Sequence, residues 1–525
     1  MSRRDELLAW LGNGRPGLSA RTGEDRLIID AATEAVPDLA VELTTAYGCE
    51  FATLVVEPTD EIDGYVVHYF FYAPDDATRV EIETRAAPGV ALPSISDRIH
   101  AADWHEREAE DLYGIHFAGH PFLGDFVLHD NEWPEDVTPM RRSFDARVRP
   151  QERGLGENWQ PRRLLDEEGA LVLPVGPIWG DYHEAGLWLL ETPGEQIRQA
   201  HTRLFYKYRG VEKIAEGQTP EHALLLAERF SGSAAFAHAW AYCQALEKLA
   251  ECEVPPRARA LRLVFAELER MRYHVAAIAE LAGSTALAVG KSMTQEITEK
   301  LLRLSGEVCG HRYLFGLIAP GGLAWAPDAA ALARLDQGVR TTAAELAKLG
   351  VWLARSSSFL DRIEEMGTLT PELADTYGVV GPVARASGRA LDLRTALPYG
   401  DYAQTPPEIP GEIEGDGYAR LRVWLAETAI SAQLIAHTLS ELPDGPIATE
   451  CTPAPGGALG WTEAPSGATF HWLRLDAEGH IARWRAGTPG FRNWHAFHRA
   501  VEGAAFQDFP IILASFGLSV AENDR

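Results

Sequence analysis

Leu261-Arg-Leu-Val-Phe-Ala-Glu-Leu-Glu-Arg-Met-Arg-Tyr-His-Val275 is the stretch that decides the fold. Leu261, Val264, Phe265, Leu268, Met271 and Val275 recur at intervals of three and four, which lines one face of an α-helix with apolar side chains. Glu267, Arg270 and His274 are interleaved with that face, and charged groups on a buried helix need partners. Working outward, the periodicity predicts helices over 194–217, 220–252, 256–282, 291–310, 327–363 and 415–440. Strand-like segments at 171–178 and 185–192 precede them. A hairpin, 469–475 with 480–485 around Asp476-Ala-Glu-Gly479, follows within a mixed segment at about 460–512. The expectation for 171–525 is a mainly helical unit with short peripheral sheets.

Upstream the texture differs. Residues 1–45 read as short amphipathic helical pieces. Three β-branched or aromatic runs, 51–58, 65–73 and 79–84, are separated by turns such as Thr59-Asp-Glu-Ile-Asp-Gly64 and Ala73-Pro-Asp-Asp. A helical stretch over 94–113 follows. Residues 1–149 are expected to form a small α/β domain. The polar, poorly patterned run 150–170 reads as a linker, so the class is α+β.

The formal net charge of −28 argues against nucleic acid and against direct docking on an anionic leaflet. It leaves two readings: simple solubility, or pairing with basic partner subunits. Cys49, Cys243, Cys252, Cys309 and Cys451 form no Cys-x-x-Cys pair, which points to a reducing compartment without a disulfide framework. No run of about 18 apolar residues occurs, and the first residues lack the apolar core of a signal peptide. Attachment to a membrane is therefore expected to pass through another protein. No glycine-rich phosphate loop appears; Ala454-Pro-Gly-Gly457 reads as a turn.

Two long motif sets carry a resemblance. Trp104-His-Glu106-Arg107-Glu108-Ala-Glu-Asp111-Leu-Tyr-Gly114-Ile-His-Phe117-Ala-Gly119-His120-Pro121, continuing to Trp133-Pro and Pro139-Met-Arg141-Arg142, resembles the 30-kilodalton subunit of respiratory complex I. Tyr208-Arg209-Gly210-Val-Glu212-Lys213, Glu267-Leu-Glu-Arg270 with His274, Val380-Gly-Pro-Val-Ala-Arg385, Asp392-Leu-Arg394 and Glu463-Ala-Pro465 resemble the 49-kilodalton subunit. More closely, they resemble the large subunit of membrane-bound energy-converting hydrogenases. The fused order is similar to that of formate hydrogenlyase-type large subunits.

In that family Glu228-Arg-Phe-Ser-Gly-Ser-Ala-Ala-Phe-Ala-His-Ala-Trp-Ala-Tyr242 and Ser515-Phe-Gly-Leu-Ser519-Val-Ala-Glu522 would each carry a Cys-x-x-Cys binding nickel and iron. Here the four positions hold Ser231, Ala234, Ser519 and Glu522. A binuclear soft-metal centre needs thiolates, so the resemblance implies a scaffold with its metal ligands vacated and no cofactor bound by this chain. Another metal on Glu522, Ser519 and His238 is a remote alternative. The resemblance places a proton-relay glutamate at Glu184. It also implies that complex I's quinone donors are replaced by Trp179 and Gly232, with Ala288 where an acid would stand and His183 as a weak substitute. Arg209, Arg270, His238 and His274 are candidates for facing the iron–sulfur cluster of a small partner subunit, against an ordinary ion-pair network.

The implied function is a hydrophilic core subunit of a complex I/hydrogenase-like oxidoreductase. It would lie on the cytoplasmic face of the inner (plasma) membrane with an iron–sulfur small subunit and antiporter-like membrane-arm subunits. Electron transfer in the partner would be coupled to ion translocation. The alternatives are a non-catalytic scaffold and an NADH–quinone oxidoreductase-type subunit with a quinone site. The family's NAD label belongs to a different subunit.

Overall fold

The computed structural model describes residues 3–525 apart from 12–16, 24, 60–63, 88, 135–136, 146, 148–162, 164, 166–168 and 179–183. Almost all of the expected linker, as well as Trp179 and His183, lies outside the described residues.

The N-terminal part is built on a five-stranded sheet. Its strands are β1 (Leu18–Thr22), β2 (Leu27–Ala31), β3 (Glu50–Pro58), β4 (Tyr65–Tyr72) and β5 (Arg79–Ala86), in the order β1-β2-β5-β4-β3. β2 and β5 are parallel and the other pairs antiparallel. Strand periodicity sorts the side chains by face. Leu27, Ile29, Val67, Tyr69, Val80 and Ile82 pack with the helices Val36–Thr45 and Asp103–Tyr113 in one apolar core. On the opposite face Ala52, Val55, Phe70 and Tyr72 join the core of the helical unit. Farther along that face stand His68 and Glu81, both buried, with Glu83 and the exposed Arg85.

The helix Pro256–Ser284 is the centre of the remainder, packed by Ala288–Cys309 and Gly417–Ser440, with Ala329–Leu353 outside them. All six apolar residues that announced it are fully buried. Proline at its first positions fits, because a helix start has no use for that N–H. A three-stranded antiparallel sheet, Gly456–Ala464, Gly467–Leu475 and Ile481–Gly487, lies on the helix Ala235–Leu249. At Gly460 a Cβ would meet the Ala241 carbonyl oxygen at 1.9 Å, so only glycine allows this approach.

Helices and short sheets in this order agree with the expected class, while several boundaries differ. Residues 18–31 form two strands where helical pieces were expected, because Leu27–Ile29 pair with β5 as well as with β1. The 94–113 helix begins only at Asp103, after a 3₁₀ turn at His100–Ala102. The stretch 194–217 holds the strand Gln199–Arg203, paired to Leu187–Thr192, and the short helix Val211–Ala215. The 220–252 helix breaks into Pro220–Ala227 and Ala235–Leu249, and 327–363 into Ala329–Leu353 and Ser357–Ile363.

Burial raises the pKa of Glu106, which is fully buried, to about 8, although it accepts from the Ile95 amide at 2.9 Å and from Ser94 Oγ at 2.5 Å. The folded chain therefore holds this proton more tightly than the unfolded chain. The stability it confers is complete below about pH 4.5 and declines as pH rises towards 8. Urea midpoints across that range should fall with pH more steeply for the native chain than for Glu106→Gln, which keeps the amide acceptor but does not titrate. Parallel curves would refute the assignment.

Candidate functional site

The break before the helix Ala235–Leu249 is where the first metal-binding pair would stand. Ser231-Gly-Ser233 supplies poor helix formers, and Ala234 has no side chain to cap the exposed amides. The cap comes instead from the long helix: Glu269 accepts the Phe236 amide through Oε1 and the Ala237 amide through Oε2, both at 2.9 Å. Its neighbour Arg272 donates to the carbonyls of Gly232 at 3.3 Å and Ser233 at 3.2 Å. Ser231 Oγ contacts Ser233 Oγ at 2.9 Å, and Ala234 packs on Ala237 and Ala464.

The second pair would stand in the tail. The helix Phe509–Phe516 stops at Gly517, which takes φ +61°, and the chain turns inward. Glu522 is buried, with Oε1 3.0 Å from His238 Nε2 and Oε2 3.4 Å from Ser466 Oγ. His238 Nδ1 lies 3.0 Å from His471 Nε2, and Trp484 Nε1 donates to His471 Nδ1 at 3.1 Å. An indole N–H can only donate, so this one contact orders the rest. His471 Nδ1 accepts and its proton is on Nε2; that proton points at His238 Nδ1, and the His238 proton on Nε2 points at Glu522. Burial holds the His471 pKa well below its ordinary value, helped by His238 and Arg525, in keeping with a neutral ring.

This arrangement decides the fit to a nickel–iron centre. Ser231 and Ser519 offer hydroxyls, Ala234 offers a methyl group, and Glu522 offers a hard carboxylate already engaged by an imidazole N–H. None is a soft thiolate, so the donor set does not fit that group. In the tautomer that Trp484 imposes, His238 carries its proton on Nε2 and its Nδ1 lone pair accepts from His471.

The tail is pinned on its other side. Asp524 Oδ1 accepts the Phe205 amide at 3.0 Å and Oδ2 the Lys207 amide at 3.3 Å. Arg209 Nη1 donates to the carbonyls of Ala521 and Asp524, and its Nη2 holds Glu184 Oε1 at 2.7 Å. Glu184 also lies 3.6 Å from Lys207 Nζ. With Trp188, Tyr273, Trp494, Leu513 and Ser519 it lines a largely apolar cavity of about 570 Å³. Ser233 borders the same cavity, so it adjoins both the break before Ala235 and the tail.

Arg270 and His274 lie in a different cluster. Arg270 Nη2 donates to the Glu463 carbonyl at 2.6 Å, and its Nε is 3.4 Å from Glu267. His274 Nε2 is 2.8 Å from Glu427. Arg385, Arg394, Asp392 and Glu463 complete a network whose members are almost entirely buried. Neither Arg270 nor His274 reaches the surface; of the cluster-facing candidates only Arg209 is partly exposed. Gly232 contributes a carbonyl to Arg272, and Ala288 begins the helix Ala288–Cys309.

Sequence reading overlooked Glu269, Arg272, Ser466, His471 and Trp484. The one signal lay in the strand pattern: His471 shares a face of the 467–475 strand with Thr469 and Leu473, a polar ring in a buried strand.

The geometry defines a class, a complex I 30-kilodalton-type part joined to a hydrogenase-type helical part, and the comparisons agree. Residues 29–150 match the 30 Kd subunit of the respiratory-chain NADH dehydrogenase, 290–454 and 447–525 match its 49 Kd subunit, and 209–284 match nickel-dependent hydrogenase. The chain belongs to this family of fused 30/49-kilodalton-type subunits. It is 30% identical to formate hydrogenlyase subunit 5 of Escherichia coli (strain K12), over 99% of this chain and 93% of that protein. It is 29% identical to hydrogenase-4 component G of the same organism, over 100% and 93%. The C/D chain of the NADH-quinone oxidoreductase of Bdellovibrio bacteriovorus is 26% identical over 87% of this chain and 88% of its own length. Among the described residues no helix is long and apolar enough to cross a membrane.

Proposed function

We propose that this chain is the hydrophilic core subunit of a membrane-associated oxidoreductase complex and carries no nickel–iron centre of its own. Electrons pass through an iron–sulfur partner, and this chain couples their movement to ion translocation by antiporter-like membrane-arm subunits at the cytoplasmic face of the inner membrane. Its parts are a 30-kilodalton-type domain over 1–149, a linker over 150–170 and a 49-kilodalton/hydrogenase-type domain over 171–525. The observation that supports the reading is Glu522: a buried carboxylate ends the Trp484–His471–His238 hydrogen-bond chain, at a position where the resemblance would put a thiolate. Metal analysis of the purified complex tests it. Iron from the partner's cluster without nickel is expected, and one nickel per chain would overturn the reading.

Glu184 is the proton-carrying group in this proposal, set beside Arg209 and at the wall of the cavity. Glu184→Gln should lower ion translocation per electron in vesicles containing the complex. Unchanged coupling removes that role. The apolar lining with Trp188, Tyr273 and Trp494 supports a second reading, in which the cavity receives a quinone. Protection of the cavity from tryptophan-directed labelling by a short-chain quinone would support it.

A further inference from the structure

On a chain of net charge −28, one cavity is locally basic. It measures about 630 Å³ and opens between the polar face of β3–β5 and the strands Gly456–Ala464 and Gly467–Leu475. Five arginines and one histidine line it against three glutamates. Each carboxylate is already matched. Glu57 pairs with Arg474 at 2.8 Å, Glu83 with Arg21 at 2.6 Å, and Glu81 with Arg26 and, at 2.7 Å, with His68. Arg85 stands at the rim without an ion pair among the described residues, and Arg142 donates to the Pro58 carbonyl. Burial alone would discharge His68, but hydrogen bonds to Glu57 and Glu81 raise its pKa to about 9, so the ring stays cationic at neutral pH.

A second observation points at an absent acceptor. Trp472 is 1% exposed, lines the cavity, and its buried Nε1–H has no hydrogen-bond partner among the described residues. Such a donor is rarely left bare. The ligand atoms of His68, Glu81 and Glu83 lie within 4.8 Å of one another, close enough for a metal ion. A protonated imidazole has no lone pair to offer, however, and the surrounding guanidiniums repel a cation. Excess guanidinium forks with an unsatisfied N–H suit a tetrahedral oxyanion. The volume falls in the range of about 300–1,000 Å³ usual for small-molecule sites.

We propose that this cavity binds a phosphorylated small molecule, its phosphate oxygens taken by Arg85 and Trp472 Nε1 beside the cationic His68. Recognition is by charge and geometry together. An acidic peptide would offer carboxylates spaced along a chain, a poorer match to a compact basic pocket.

The test is isothermal titration of the full chain with pyrophosphate near neutral pH at fixed ionic strength, with sulfate and an oligoglutamate peptide as comparison ligands. One-to-one saturable binding with a Kd below about 1 mM is expected, weakened about tenfold or more in Arg85→Gln and in Trp472→Phe. Arg85 is exposed, so its variant keeps the test decisive if Trp472→Phe does not fold. Four results would overturn the proposal: no saturable binding; binding unchanged in Arg85→Gln; sulfate binding as tightly as pyrophosphate, marking an adventitious ion only; or tighter binding of the peptide, which would make the pocket a protein-docking site.

Discussion

Glu212→Ala should destabilise the protein by about 3–5 kcal/mol, the range for removing one partner from a buried ion pair, read as a lowered urea midpoint. Glu212 is 1% exposed and collects donors from two segments, the strand Ile481–Gly487 and the tail. Arg483 Nη2 reaches its Oε2 at 2.8 Å, Arg525 Nε reaches Oε1 at 3.0 Å, and the Ala486 amide donates to Oε1 at 3.0 Å. Glu108, on the helix Asp103–Tyr113, pairs with Arg525 at 2.7 Å and also with Arg485. Two carboxylates thus hold three guanidiniums, and without Glu212 a single carboxylate would face all three. Burial would raise the Glu212 pKa, but Arg483, Arg485 and Arg525 override it and hold the carboxyl at about 2. Its contribution is therefore present above pH 4.5 and lost as pH falls towards 2. The cluster joins the N-terminal helix, the strand Ile481–Gly487 and the tail, so the variant should also become sensitive to proteolysis between the N-terminal sheet and the helical unit. A loss below about 1 kcal/mol, the worth of an exposed pair, would show that the network is not closed to water.

Arg385→Ala should cost as much, about 3–5 kcal/mol, and the loss should be partly recovered by adding Glu427→Ala. Arg385 Nε meets Glu427 at 2.6 Å, and its Nη1 meets Glu463 at 2.9 Å and Asp392 at 3.2 Å. The other guanidiniums of this core are Arg394, 2.7 Å from Asp392, and Arg270. Three arginines face four carboxylates: Glu267, Asp392, Glu427 and Glu463. Burial, then the charge of Asp392, raises the Glu463 pKa to about 7, and burial lowers that of His274. At neutral pH the cluster is therefore close to balance through a proton on Glu463. Removing Arg385 takes a partner from three carboxylates, of which Asp392 keeps Arg394, and removing Glu427 as well relieves another of them. A double-mutant cycle measures that coupling, expected at about 0.5–3 kcal/mol; strict additivity would mean the two groups do not act through one network.

Much of the fold is legible in local pattern. The 3-4 spacing from Leu261 to Val275 marks a helix because each side chain in that register faces the same core. The alternation of Val67, Tyr69 and Phe71 with Val66, His68 and Phe70 marks a strand for the same kind of reason. Legibility fails where pairing is non-local. Leu27–Ile29 become a strand through β5, some fifty residues away, and nothing within 1–45 records that partner. It fails again at 228–234, where the helix stops because Glu269 captures the amides of the next helix.

The candidate site divides in the same way. Side-chain chemistry alone determines that Ser231, Ala234, Ser519 and Glu522 are not a thiolate set, because softness and charge belong to the residue wherever it is placed. What those residues meet was decided only by folding. His238 meets His471 across 233 positions and Glu522 across 284, and Trp484 fixes the direction of every proton between them. Composition dictates which groups can donate or accept; only close packing at hydrogen-bonding distance selects which of them do.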